Sequence, residues 1–188
     1  MPIIGIIDSA KTGRLVTSSY FSIATQTASN TTTTTLTFTS IPQTYKHLQL
    51  VMFDGSNSIS SAGFMYINND LTNSNYYVNY YYAASASGTT SLGTGGTANP
   101  YTPNFTGGAL TQFPGTMIMT IPDYTSTTKA KSALFSDGYY GSDTTYGGYM
   151  NHSGYVYTAN TNAITRLDFV APATYWKQDS YVALYGMA

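Results

Sequence analysis

Apolar and polar residues alternate with period two along much of this chain, and no stretch carries the 3.6-residue period of an amphipathic helix. A strand sends successive side chains to opposite faces, so this alternation constrains the fold more than any other feature. In Thr35-Leu36-Thr37-Phe38-Thr39 the apolar residues take one face and the threonines the other. His47-Leu48-Gln49-Leu50-Val51-Met52 places Leu48, Leu50 and Met52 together in the same way. Further strands are predicted over residues 20–27, 63–68, 76–82, 116–121, 132–138, 154–158, 163–170 and 180–185, separated by the turn formers Gly, Pro, Asn, Asp and Ser. All eight acids are Asp and none is Glu, which removes a strong helix former and leaves the acid that prefers turns and caps.

Many short strands with no helical pattern between them predict an all-β chain: a single antiparallel β-sandwich, jelly-roll-like, closed to limit exposed edges. The 188 residues suit one such domain over 19–188, preceded by an N-terminal arm over 1–18. Residues 83–113 are rich in Gly, Ser, Thr and Pro and lack strong period. They are expected either to form a long surface loop packed on a neighbouring subunit or to contain short strands without a period signal.

Charge is scarce. Seven Lys and Arg and eight Asp stand against 19 Tyr, and the net charge of -1 gives no pull toward nucleic acid or an anionic membrane. Hydroxyls and amides keep such a chain in solution, and uncharged surfaces of this kind pack closely in assemblies without charge repulsion. With no cysteine there is no disulfide framework, zinc-thiolate site or thiol nucleophile. Lys11 and Arg14 follow the apolar patch Ile3, Ile4, Ile6 and Ile7 instead of preceding it, so a secretory signal is not expected. No apolar run approaches the roughly 20 residues of a spanning helix, and no membrane insertion is expected.

Familiar catalytic and binding constellations do not assemble. Gly93-Thr94-Gly95-Gly96-Thr97-Ala98 has dinucleotide-binding spacing, but Pro100 and Pro103 fall where its helix should begin. His47 and His152 lack a nucleophile elbow, and Asp123, Asp137, Asp143 and Asp168 are too scattered in sequence to define a glycosidase pair. Asp54-Gly55-Ser56-Asn57 and Asp137-Gly138 are turn signals without the spaced acids of a calcium loop. No catalytic residue, metal ligand or cofactor is therefore predicted.

Two features point to partners. In Tyr76-Tyr77-Val78-Asn79-Tyr80-Tyr81-Tyr82, alternation sends Tyr77, Asn79 and Tyr81 one way and the other four residues the opposite way, so both faces are aromatic. Burial on both sides follows, the second side either under a neighbouring subunit or inside a thick sandwich; a sugar-stacking platform including Trp176 is a third reading. Ile3, Ile4, Ile6 and Ile7 either dock on another chain or complete the domain's own sandwich as a first strand.

Three segments also carry a resemblance: Ser19-Tyr20-Phe21-Ser22-Ile23-Ala24-Thr25, the run from Phe38 through Ser40-Ile41-Pro42-Gln43-Thr44-Tyr45-Lys46-His47-Leu48-Gln49-Leu50, and the terminal Ala183-Leu184-Tyr185-Gly186-Met187-Ala188. With Ile67-Asn68-Asn69-Asp70, Ile121-Pro122-Asp123-Tyr124 and Ala163-Ile164-Thr165 in order between them, the chain resembles a poorly characterised family of tailed-bacteriophage virion structural proteins. The resemblance omits residues 83–113. It departs at Asn69, where the family pattern has Gly, and at Tyr175-Trp176, where it has a Gly-Asn-rich turn.

The resemblance implies a virion component. Together with the apolar arm and the scarcity of charge, it leads to the expectation of a non-enzymatic capsid decoration protein, a homotrimer that clamps the major capsid protein through Ile3, Ile4, Ile6, Ile7, Tyr77 and Tyr81. The alternative expectation is a tail-fibre or appendage module that stacks host glycans on Tyr175 and Trp176.

Overall fold

A computed structural model describes residues 20–53, 63–86, 89–97, 115–139, 148–171 and 175–188. Eleven strands run through them: β1 (Tyr20–Thr27), β2 (Thr35–Phe38), β3 (His47–Phe53), β4 (Phe64–Ile67), β5 (Tyr76–Ala86), β6 (Thr89–Thr97), β7 (Thr116–Pro122), β8 (Lys131–Tyr139), β9 (Gly148–Tyr157), β10 (Leu167–Val170) and β11 (Tyr181–Met187). No α-helix occurs among the described residues, only a 3-10 turn at Asn73–Asn75.

The strands form two antiparallel sheets packed as a sandwich, one of eight strands in the order β1-β11-β3-β7-β8-β9-β5-β6 and one of three in the order β2-β10-β4. The predicted all-β sandwich is thus observed, with its strands divided unequally. The core lies where alternation places it. Leu48, Leu50 and Met52 on β3 and Met117, Met119 and Ile121 on β7 face Leu36 and Phe38 on β2, and all are buried. Four buried tyrosines, Tyr76, Tyr124, Tyr155 and Tyr157, join them, and a buried phenol must find a hydrogen-bond partner. Tyr155 donates to the Met65 carbonyl at 2.7 Å and Tyr76 to the Asp70 carbonyl at 2.6 Å.

Residues 83–113 are partly resolved into structure. Strand β5 continues to Ala86, and β6 returns beside it as an edge strand, so a hairpin occupies the first half of the expected loop. The rest of that stretch lies outside the described residues. Within β6, Gly95 pairs with Tyr80 and Gly93 with Tyr82. A strand rich in glycine and threonine carries no hydrophobic period, so its pairing with β5 is invisible to alternation. The glycine spacing that suggested a nucleotide loop is therefore ladder backbone.

The turn after β4 shows why Asn serves in place of Gly. Asn68 and Asn69 both have left-handed φ, 51° and 61°, and the Asp70 N–H closes on the Ile67 carbonyl at 3.0 Å. Asn tolerates that conformation better than other residues with a β-carbon. The Asn68 carbonyl oxygen then accepts from the backbone N–H groups of Thr165 (2.9 Å) and Arg166 (3.1 Å), while its amide donates to the Ala163 carbonyl at 2.9 Å. We expect Asn68→Ala to lose about 2 kcal/mol of stability through left-handed strain and unpaired backbone, and Asn69→Gly to cost nothing. Thermal unfolding of the two variants tests the contrast.

Candidate interaction surface

The inner face of the eight-stranded sheet is the core, and the outer face is open. Registers across the strands place outward residues in rows about 7 Å apart. One row reads Tyr81, His152, Ser136, Ile118, Val51, Ala183 and Thr25 from β5 to β1. The next reads Asn79, Gly154, Leu134, Thr120, Gln49, Tyr185 and Ser22. Flanking rows contribute Met150, Gly138 and Phe53 on one side and Tyr77 and Val156 on the other.

Nine large hydrophobic residues are exposed among those described, and eight of them, all except Leu71, belong to this face. Met150 is 67%, Tyr81 66%, Leu134 61% and Ile118 53% exposed. Solvated faces of antiparallel sheets are ordinarily polar, and a contiguous apolar patch marks an interaction surface. The outward rows of the described strands contain no Lys, Arg or Asp. Charges gather at strand ends instead, as with Lys46, Asp123, Lys129, Lys177 and Asp179. An uncharged apolar centre with charges at its margin is the composition of a face that can be covered without desolvating ions.

The β8–β9 hairpin is partly inside out. On the inner face Asp137 lies opposite Asn151, and Asn151 and Ser153 are buried with it, while Leu134, Met150 and Val156 face outward. Neither carboxylate oxygen of Asp137 has a hydrogen-bond partner among the described residues. Burial raises its pKa to about 8, and the nearby Asn151 amide moderates the rise.

Ser136 Oγ and His152 Nδ1, 2.7 Å apart, share a hydrogen bond in the middle of the outer face. No carboxylate on that face orients the imidazole among the described residues, and Asp137 projects to the opposite side. The pair is polar filling within the face. His47 instead accepts the Asp123 N–H at 3.0 Å and supports a turn. Among the described residues no group of three or more His or Asp is placed to hold a metal ion, and Asp54 to Asn57 lie outside them.

Tyr77 and Tyr81 thus sit on the open face as alternation predicts. The thick-sandwich alternative for β5 is overturned, because the second layer covers only the Tyr76, Val78 side. Ile3, Ile4, Ile6 and Ile7 lie outside the described residues, as does the whole arm over 1–18. The glycan platform loses its aromatic anchor. Trp176 is 0% exposed and donates from its indole N–H to the Phe169 carbonyl at 3.2 Å, so its ring is core rather than a stacking surface. Tyr175 beside it is half-buried. Trp176 lies in no predicted strand, so alternation does not report which way it faces.

Leu134, Met150, Ile118, Val156 and Phe53 are interaction candidates that sequence reasoning missed. Their signal was available as apolar residues of the wrong parity, such as Ile118 between the core residues Met117 and Met119.

No protein-family profile matches the chain, and no curated protein does. Among solved structures, a weak similarity links it to a crystal structure described as a protein of unknown function from Shewanella oneidensis MR-1. That match has 10% identity and a TM-score of 0.20, over 91% of this chain and 77% of the other, and a score that low establishes no common fold.

Proposed function

We propose that this protein is a non-enzymatic structural component of a bacteriophage particle, an oligomeric decoration that binds the capsid exterior and bridges subunits of the shell. The observation that carries this reading is the uncharged, apolar outer face of the eight-stranded sheet, which is suited to permanent burial. The resemblance of the segments around Tyr45, Asn68, Tyr124 and Gly186 to virion proteins supports the setting.

In this reading the outer face, with Tyr77 and Tyr81, joins copies of the protein, while Ile3, Ile4, Ile6 and Ile7 attach the oligomer to the major capsid protein. Each buried Ile contributes about 1.5–3 kcal/mol before the cost of ordering the arm, about 1–2 kcal/mol per backbone residue. A single arm is marginal on that balance. Arms joined in one oligomer bind with raised effective concentration, which makes clamping by several arms stable where one is not.

Immunogold labelling of purified particles tests the location, and a variant lacking residues 1–18 tests the attachment. We expect label over the head, and we expect the shortened protein to keep the melting temperature of the full chain while no longer binding particles. Label confined to the tail would reject decoration in favour of a receptor-binding role.

A further inference from the structure

We infer that the occupant of the outer sheet face is a second copy of this chain, packed face to face about a twofold axis that runs along the strands between β8 and β9. The inference rests on the reading that this face joins copies of the protein, and it adds the symmetry and register of that contact.

Relief and chemistry on the face are self-complementary about that line. Leu134, a projecting side chain, lies directly across the ladder from Gly154, which has none. A β-carbon built on Gly154 would meet only Leu134 Cδ2, at 4.0 Å, so a pit stands open beside the knob. A twofold axis between the two strands exchanges β8 with β9 and β7 with β5. It therefore seats Leu134 of each copy over Gly154 of the other. In the next row the same operation sets Ser136 against His152 and Ile118 against Tyr81, polar on polar and apolar on apolar. One row further, Met150 meets Gly138. Knob and pit side by side on one patch are what an isologous contact requires, because residue i then meets j and j meets i.

The size is sufficient. The axis lays β3 over β6, so six strands overlap; at about 4.8 Å spacing, with four rows about 7 Å apart, they give roughly 500 Å² per partner in projection, about 1,000 Å² in total, the low end for a specific interface. The outward rows of the described strands hold no Lys, Arg or Asp, so two identical faces can meet without like-charge repulsion.

Sedimentation velocity of the full chain, with melting temperature in parallel, tests the pairing. We expect a dimer. Gly154→Val fills the pit with a strand-favouring residue and should keep the melting temperature while weakening association by roughly 30-fold or more. Met150→Lys, at a solvent-exposed site, should do the same without touching the core. The exchange Leu134→Gly with Gly154→Leu transposes knob and pit and should restore the dimer. A wild-type monomer or trimer, or a dimer indifferent to Gly154→Val and Met150→Lys, overturns the inference. A monomer that still labels particles would end the pairing and leave the decorative role standing; a dimer absent from particles would do the reverse.

Discussion

Asp137→Asn is expected to stabilise the fold by up to about 4 kcal/mol at pH 7 and to remove most of its dependence on pH between about 4 and 8. The carboxyl is buried on the inner face of β8, both oxygens lack hydrogen-bond partners among the described residues, and its pKa rises from 3.8 to about 8. In the folded chain the group therefore holds its proton across a range where the unfolded chain has released it. The native state binds more protons than the unfolded state in that window, so stability falls as pH rises through it and levels off above about 8. Below about pH 4 both states are protonated and the penalty vanishes. Asparagine keeps the shape, carries no charge at any pH, and leaves the neighbouring Asn151 and Ser153 in place. Urea unfolding of both proteins at pH 4, 7 and 9 gives the answer. Curves that converge at pH 4 and separate toward pH 9 agree with the argument, whereas a constant separation would show that Asp137 is not the titrating group.

The inverted polarity around Asp137 also explains what alternation could and could not predict. Where apolar residues face the core and polar residues face water, the strands appear in the sequence at nearly their observed bounds: β1 coincides with the predicted 20–27, and β3 differs from the prediction only by including Phe53. Strand β9 was predicted only from residue 154, yet it begins at Gly148. Its first half hides Asn151 and Ser153 and exposes Met150, so a rule that places apolar residues inside finds no strand there. The same inversion makes the outer face. An apolar residue of the wrong parity is a weak signal in one strand, and only the register of seven strands gathers Tyr81, Ile118, Leu134 and Met150 into one patch. Strand β6 was hidden for another reason, since its glycines and threonines show no hydrophobic period of their own. Ala163 to Arg166, included in a predicted strand, is instead a lead-in to β10 held by the Asn68 side chain.

Gly186→Ala is expected to destabilise the protein by about 3 kcal/mol or more, from a change of one methyl group. Gly186 lies on β11 with its missing side chain directed at the Tyr45 ring, and a β-carbon there would overlap the Cγ, Cδ2 and Cε2 atoms of that ring. The ring cannot swing aside freely. Phe21, which pairs with Gly186 across the ladder, stacks on the ring with centroids 5.5 Å apart, and the next residue, Lys46, donates its backbone N–H to the Met187 carbonyl at 2.8 Å. A collision with a held aromatic ring costs more than one with the end of a flexible chain. The contact joins two segments far apart in sequence, the run around Tyr45 and the Leu184-Tyr185-Gly186 ending. Nearby, Tyr124 donates to the Pro42 carbonyl, and the Ile164 N–H donates to the Tyr124 carbonyl at 2.9 Å. These segments thus meet through packing inside the molecule. A double-mutant cycle separates this account from a general intolerance of β11 to substitution. Tyr45→Ala alone should cost the stacked ring, but in its presence Gly186→Ala should cost less than 1 kcal/mol, since the added methyl then enters vacated space. Equal costs in the two backgrounds would mean that the glycine serves the strand backbone instead of the ring.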